Sequence, residues 1–207
     1  MKFCIQRLCM ICIVLCASFL CGDEKSFDGK EKIIIPHSEA LNLIDELTIE
    51  VWVQIEDFPG TKTSFRTIVS KGPHAAQAYS LFINDKDDCL IAIFNKVMRC
   101  NSAKFDKKEM IAGWNHIACT YDKKQIIIYL NGKTAGTLKC SSENIINNTN
   151  PLSIGFDNDI NKDRYFKGKM KKLRIWKKAL TASEINEYKD KEKLLKKDAD
   201  NIILEKF

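Results

Sequence analysis

Asp157-Asn158-Asp159, with Asn161 and Asp163 close behind, is a cluster of oxygen donors between two apolar segments. Carboxylates and amide carbonyls at this spacing suit Ca2+, which takes roughly six to eight oxygens. Asp157, Asn158, Asp159 and Asp163 are therefore the candidate metal ligands, and Ca2+ the candidate cofactor. Arg164 and Lys167 follow directly, so a solvated Asp/Asn turn is the competing reading. Glycoside hydrolysis with retention needs two carboxyl groups about 5 Å apart. The nearest acids are Asp45, Glu46 and Glu50, with Thr48 at strand spacing between the last two, so that face carries a single certain acid. His37, His74 and His116 form no set with a serine and an aspartate. These residues predict no enzyme.

Cysteines offer structure rather than chemistry. Five of the nine (Cys4, Cys9, Cys12, Cys16, Cys21) lie in the first 22 residues. There Lys2 and Arg7 precede an uncharged run from Leu8 to Leu20 that ends at Gly22-Asp23-Glu24-Lys25. This is the layout of a secretory signal peptide, too short to span a bilayer well. An uncleaved anchor is the alternative; a lipid anchor on Cys21 lacks the small residue expected before it. Cleavage between Ser18 and Asp23 leaves a mature chain from 23 to 207, exported to an extracellular or cell-surface location, with no transmembrane segment. It keeps Cys89, Cys100, Cys119 and Cys140, an even number that suggests two disulfides. Cys89 and Cys100 flank the Phe94-Asn95 turn about equally and are expected to face each other, within the roughly 7 Å between Cα atoms that a bridge requires. Cys119–Cys140 is the less comfortable second pair, with a buried free Cys119 as its alternative.

Two surface features remain. Asn147-Asn148-Thr149 is an acceptor sequence for N-glycosylation at Asn147 in a eukaryotic host. Lys167–Lys178 (KGKMKKLRIWKK) alternates cations with Met170, Leu173, Ile175 and Trp176. It reads as a strand with its charged face in water, or as a basic ridge for sulfated glycans or anionic surfaces. The whole chain has a formal net charge of +6 over 207 residues, and its lysines are scattered, which argues against a nucleic-acid partner.

The elements that must position these groups are strands. In Gly113–Gly136 (GWNHIACTYDKKQIIIYLNGKTAG), Ile117, Cys119 and Tyr121 alternate with Ala118 and Thr120, and Asn131-Gly132 supplies a hairpin turn. Leu47–Val53 alternates in the same way, with Glu50 and Trp52 on the face opposite Ile49 and Val51. Further strands are expected at Ile33–Ile35, Arg66–Ser70, Tyr79–Asn84, Cys89–Phe94, Val97–Ala103, Thr134–Cys140, Pro151–Gly155, Met170–Trp176 and Ile202–Leu204. Only one helix is expected: Thr181-Ala182-Ser183-Glu184 is a capping box, followed by a stripe of Ile185, Tyr188 and Leu195. Hydrophobic residues make up 45% of the chain, enough for one sizeable core. About eleven short strands with one late helix predict an all-β, two-sheet antiparallel sandwich.

The order of motifs SFDG, IIIP, ELTIEVWV, RTIVSKG, YSLFIN, GWNHIACTYD, IIIYLNGKTAG, NPLSIG and YFKGKMKKLRIWKKALTASEI resembles the laminin-G-like jelly-roll domain of the concanavalin A-like lectin/glucanase superfamily, over about Ser26 to Glu187. Pentraxins are more distant relatives with the same sandwich. The resemblance implies two antiparallel sheets, with the first and last strands adjacent. It also aligns Asp157-Asn158-Asp159 with the acid-amide-acid run of the pentraxin calcium loop, although Ser64-Phe65-Arg66 stands where a second ligand pair would come. The glucanase branch carries E-x-D-x-E on one strand, which is missing around Glu50. Together these imply a secreted, non-catalytic binding module for a glycan or an extracellular protein, with a divergent carbohydrate-active hydrolase as the alternative.

Overall fold

A computed structural model describes residues 24–56, 65–141, 143–157, 164–192 and 194–207. The expected signal segment lies outside them. Period-two alternation has built two antiparallel sheets. A seven-stranded sheet runs β1 (Lys25–Asp28), β12 (Lys167–Trp176), β3 (Leu47–Ile55), β8 (Asn115–Tyr121), β9 (Gln125–Leu130), β10 (Lys133–Lys139), with β13 (Ile202–Lys206) also on β12. A six-stranded sheet runs β2 (Ile33–Ile35), β11 (Leu152–Ile154), β4 (Phe65–Lys71), β5 (Tyr79–Asn84), β6 (Cys89–Phe94), β7 (Met98–Asn101). β1 and β13 both pair with β12, along the side that β3 leaves free, so the first and last strands lie end to end. This is the expected jelly-roll sandwich.

The core lies between the sheets. Leu47, Ile49, Val51 and Val53 of β3 and Ile117, Cys119 and Tyr121 of β8 face Leu81 and Ile83 of β5 and Leu90 and Phe94 of β6, all fully buried. Each buried aliphatic side chain contributes about 1.5–3 kcal/mol. Phe94 stacks on Tyr121 across the gap at 4.9 Å. The β9–β10 turn is the one expected, since Asn131 and Gly132 take φ of 51° and 77°, the left-handed pair a type I′ turn needs. Gly136 lets β10 pass against the backbone of Asn101 and Ser102 at the end of β7, where a Cβ would collide. Ala103 N donates to Ala135 O at 2.7 Å beside it, closing one edge of the sandwich.

β4 carries a buried cation at each end of the gap. Arg66 Nε donates to both oxygens of Asp85, at 2.7 and 3.0 Å. Lys71, with no exposed surface, donates to Asn148 Oδ1 at 2.9 Å, Asn148 O at 3.0 Å and Asn150 O. Burial holds the Lys71 pKa below its ordinary value. Charges buried this deeply persist only when their donors are matched by acceptors, and these cations consequently tie down the loops they touch.

Helices differ in number from the sequence expectation. α2 (Ala182–Tyr188) has its capping box, with Glu184 N donating to Thr181 Oγ1 at 3.2 Å and Thr181 N to Glu184 Oε2 at 2.9 Å. Ile185 and Tyr188 are buried, but Leu195 is 59% exposed and lies beyond the helix. α1 (Lys107–Ala112) and α3 (Lys196–Ala199) are additional. α1 has Asp106 as N-cap (Lys108 N to Oδ1, 2.7 Å) and inserts Met110 into the core. A helix this short depends on that anchor rather than on propensity.

The Cys89–Cys100 bridge is corrected by the register. β6 and β7 pair Ala92 with Cys100 and Phe94 with Met98. The hairpin therefore pivots at Lys96, where Asn95 and Lys96 are both left-handed, and not between Phe94 and Asn95. Cys89 packs with Phe82, Ile91 and Ile93 on the outer face, while Cys100 points into the core. Cys119–Cys140 does not form either: all four thiols are free, with Cys119 buried and Cys140 half-buried. Burial pushes the Cys100 thiol up to about 11, which leaves about 100-fold less thiolate at pH 8 than an ordinary thiol carries. Iodoacetamide labelling of the folded chain, read by peptide mass spectrometry, is expected to modify the half-buried Cys140 first and the buried Cys100 much more slowly. Equal rates would show that the edge between β7 and β10 is open.

Candidate functional site

The two outer faces of the sandwich differ in kind. On the seven-stranded sheet, Glu50 is 1% exposed and accepts from Trp176 Nε1 at 3.0 Å and Arg174 Nη1 at 3.5 Å, with His116 Nε2 at 3.3 Å. Arg174 also donates to Glu205 Oε1 at 2.7 Å and to the Lys191 and Tyr188 carbonyls at 3.1 and 3.4 Å. Above this network Trp176 stacks on Tyr188 at 5.4 Å, and Ala118, Tyr129, Leu180 and Ile185 complete an apolar layer under α2. Trp52 Nε1 donates to Lys189 O at 2.7 Å, and Thr48 Oγ1 to Lys178 O at 2.7 Å, fixing both ends of the helical segment. Glu50 is thus a structural carboxylate beneath a helix, as its lack of an acidic neighbour on the strand indicated. Arg174→Met would strand that charge, and a buried pair broken on one side costs about 3–5 kcal/mol. Urea unfolding is expected to show a loss of that size; a loss under about 1 kcal/mol would mean that Glu50 is hydrated.

The basic stretch resolves along β12. Met170, Leu173 and Ile175 face the core, while Lys169 and Lys171 face out. Lys169 pairs with Glu24 at 2.6 Å. Lys171 Nζ lies 4.4 Å from the Trp114 ring centroid and 5.9 Å from that of Trp52. A bulge at Lys172, left-handed with φ 50°, sends its ammonium to Glu192 at 2.6 Å. These cations are largely used within the surface and form no continuous ridge.

On the six-stranded sheet the outer face carries hydroxyls and an apolar strip. The register aligns Ile34, Ser153, Ser70, Ser80, Ile93 and Arg99 in one row across all six strands. The next row is Thr67, Phe82, Ile91 and Asn101, followed by Phe65, Asn84 and Cys89. Phe82, Cys89, Ile91 and Ile93, with Phe65 against them, form a cluster built from β4, β5 and β6 alone. Ser70 Oγ donates to Gly72 O at 2.8 Å and accepts from Gln77 Nε2 at 3.3 Å. The hydroxyls of Thr67, Ser80 and Ser153 are buried and have no partner among the described residues. An orphaned buried hydroxyl costs about 1–3 kcal/mol, so three on one face need an explanation.

Arginines border this face. The Phe65 ring has the Arg164 guanidinium 5.1 Å and the Arg99 guanidinium 5.7 Å from its centroid. Arg164 Nη1 is 3.0 Å from Asp157 Oδ2 and 3.1 Å from His74 Nδ1. Asp157, the first of the candidate calcium ligands, therefore already has a cation on its carboxylate. Asn158, Asp159 and Asp163 lie outside the described residues. Asp28 caps its own turn, accepting from Lys30 N at 2.7 Å. Asn147 is exposed between β10 and β11. Sequence reasoning missed the hydroxyl row and Arg99. The available signal was Cys89–Phe94, a strand apolar on both faces, which marks an outer face that is not simply solvated.

With the geometry in place, a family model described as the Concanavalin A-like lectin/glucanases superfamily, Laminin_G_3, matches residues 27–186. The chain belongs to this laminin-G-like family. Among solved structures similar to it, a provisionally named carbohydrate binding protein from Bacteroides ovatus shares 18% identity at a TM-score of 0.68, over 88% of this chain and 50% of that one. Domain 4 of AbnA, an extracellular arabinanase from Geobacillus stearothermophilus, in complex with arabinotriose, shares 20% identity at 0.57, over 78% and 74%. A heptameric SAP-like pentraxin from Limulus polyphemus shares 15% identity at 0.57, over 79% of each chain. These identities establish likeness of fold alone, and the laminin-G-like chain spans half the length of the Bacteroides protein. No curated protein matched the sequence. Among the described residues no helix is long and apolar enough to cross a membrane.

Proposed function

We propose that this laminin-G-like domain is an exported, non-catalytic recognition module that binds carbohydrate on the outer face of its six-stranded sheet, where the hydroxyls and apolar side chains are 0–7% exposed and must be uncovered for a ligand to reach them. The observation that carries the reading is the set of orphaned hydroxyls, Thr67, Ser80 and Ser153, beside the Phe82–Ile91–Ile93 strip. A sugar presents the complement: C–H faces for the apolar strip and hydroxyls that donate and accept. The arabinotriose complex of the arabinanase domain supports the ligand class, since that chain shares the fold. The signal layout supports export. Non-catalysis is supported by Glu50, the best sequence candidate for an acid, being sealed under α2 by Arg174 and Trp176.

Calcium is not part of the proposal. Asp157 is the one candidate ligand among the described residues, and Arg164 neutralises it. Binding is expected to be indifferent to chelator.

A glycan array on the mature chain, followed by calorimetry with and without EDTA, tests this. Thr67→Val and Ser80→Ala are each expected to weaken binding by about 1 kcal/mol, or roughly fivefold in Kd. No reducing ends should be released on prolonged incubation. A bound glycan whose affinity ignores both substitutions would place the site elsewhere, and glycan cleavage would restore the hydrolase reading. An array without hits, against capture of a defined extracellular protein, would move the recognition class from sugar to protein.

A further inference from the structure

We propose that the saccharide bound on this face carries a carboxylate, and that Arg99 reads it. This rests on the binding face inferred above and adds a ligand class to it. β7 is the terminal strand of its sheet, and Arg99 stands on the outer side at the end of the hydroxyl row. Its guanidinium nevertheless lies 5.7 Å from the ring of Phe65 on β4, three strands away. With strands about 4.8 Å apart, the side chain must lie inward across the face, over β6 and toward the apolar strip, rather than extend into solvent.

Charge accounting picks out this arginine. Two guanidiniums approach Phe65, and one carboxylate, Asp157, serves Arg164. Arg99 makes one hydrogen bond, from Nε to Asn101 Oδ1 at 3.0 Å, and has no ion pair among the described residues. That bond uses Nε and leaves the end-on fork of Nη1 and Nη2 without a hydrogen-bond partner among the described residues. Of the acids at this corner, Asp88 pairs with Lys107 at 2.8 Å, while Asp87 is held by the neutral Asn84 amide at 2.7 Å and makes no ion pair with Arg99. A planar fork of two N–H donors matches the two oxygens of a carboxylate, a geometry an ammonium does not offer. The hydroxyl of Ser80 lies two strands from Arg99 in the same row, or about 10 Å. That spacing asks for an oligosaccharide whose acid group sits on a different part of the ligand from the ring held at the hydroxyls. Uronic-acid or sialic-acid oligosaccharides have this chemistry.

The test compares matched pairs on the full mature chain by calorimetry: oligogalacturonate, oligomannuronate and sialyl-lactose, each against its carboxyl-reduced form. At least one acid form is expected to bind about tenfold more tightly than its reduced partner. Arg99→Gln should bring that ratio to about 1 while leaving the reduced form's affinity in place, and Arg99→Lys should restore only part of it. Arg99 is exposed, so both variants are expected to unfold at the wild-type urea midpoint. Equal affinity for acid and reduced forms, or a ratio that survives Arg99→Gln, would overturn the inference while leaving the binding face standing. Failure of every probe in both forms would also overturn the inference; the face itself falls only if the glycan array gives no hit.

Discussion

The buried carboxylate of Glu50 is the constraint from which the rest of this molecule follows. A lone charge in that position would be ejected or neutralised. Here an indole N–H, a guanidinium and an imidazole nitrogen converge on it. Each partner brings an element with it. Trp176 and Arg174 come from β12, His116 from β8, and Arg174 also reaches the carbonyls that close α2. The network therefore does more than satisfy one acid: it fixes α2 over the seven-stranded sheet. That face becomes a second small core, with Trp176 stacked on Tyr188. Once it is sealed, the one acid that could have done chemistry on this sheet is out of reach of solvent.

Charge is also what closes the ends of the sandwich. β4 enters the gap with Arg66 and leaves it with Lys71, both buried. Arg66 meets a carboxylate, whereas Lys71 meets amide and carbonyl oxygens from the loop before β11. The difference has a physical consequence. An ion pair neutralises the charge; a cage of dipoles solvates it without neutralising it, and burial accordingly lowers the pKa of Lys71. The loop that carries Asn147 is thus ordered by a cation on the strand beneath it, and Asn148 is consumed in holding that cation, while its neighbour Asn147 stays exposed.

What could be read from the sequence follows the range of the forces involved. Leu47–Val53 alternates because one face meets the core, Asn131-Gly132 turns because the backbone demands it, and Thr181 caps because Glu184 is three residues on. All are local, and all are found as expected. The Cys89–Cys100 pairing failed by a small displacement of the pivot. Asn95 and Lys96 both adopt left-handed backbone, neither of them glycine, and the shift in register moved Cys89 onto the other face. α1 was invisible because Met110 anchors it through tertiary contact. The outer face of the six-stranded sheet was only half legible. Ser80 and Phe82 alternate with Leu81 and Ile83 in plain view, but that Ser153, Ser70 and Ser80 form one row depends on three strands separated by up to about 80 residues of chain.

That row bears on why the fold tolerates it. Three unpartnered buried hydroxyls lower stability, and apolar replacements of similar shape would be close to neutral or favourable in the folded state alone. Residues that cost stability and serve no element of the fold are the mark of a surface shaped by what it must hold. The contrast with Ser70 sharpens the point, because that hydroxyl is satisfied by Gly72 and Gln77 and so has a structural role of its own. Thr67, Ser80 and Ser153 have none among the described residues. Arg99 fits the same logic from the side of charge: its guanidinium, like that of Arg164, is held at the Phe65 ring, and no carboxylate pairs with it among the described residues.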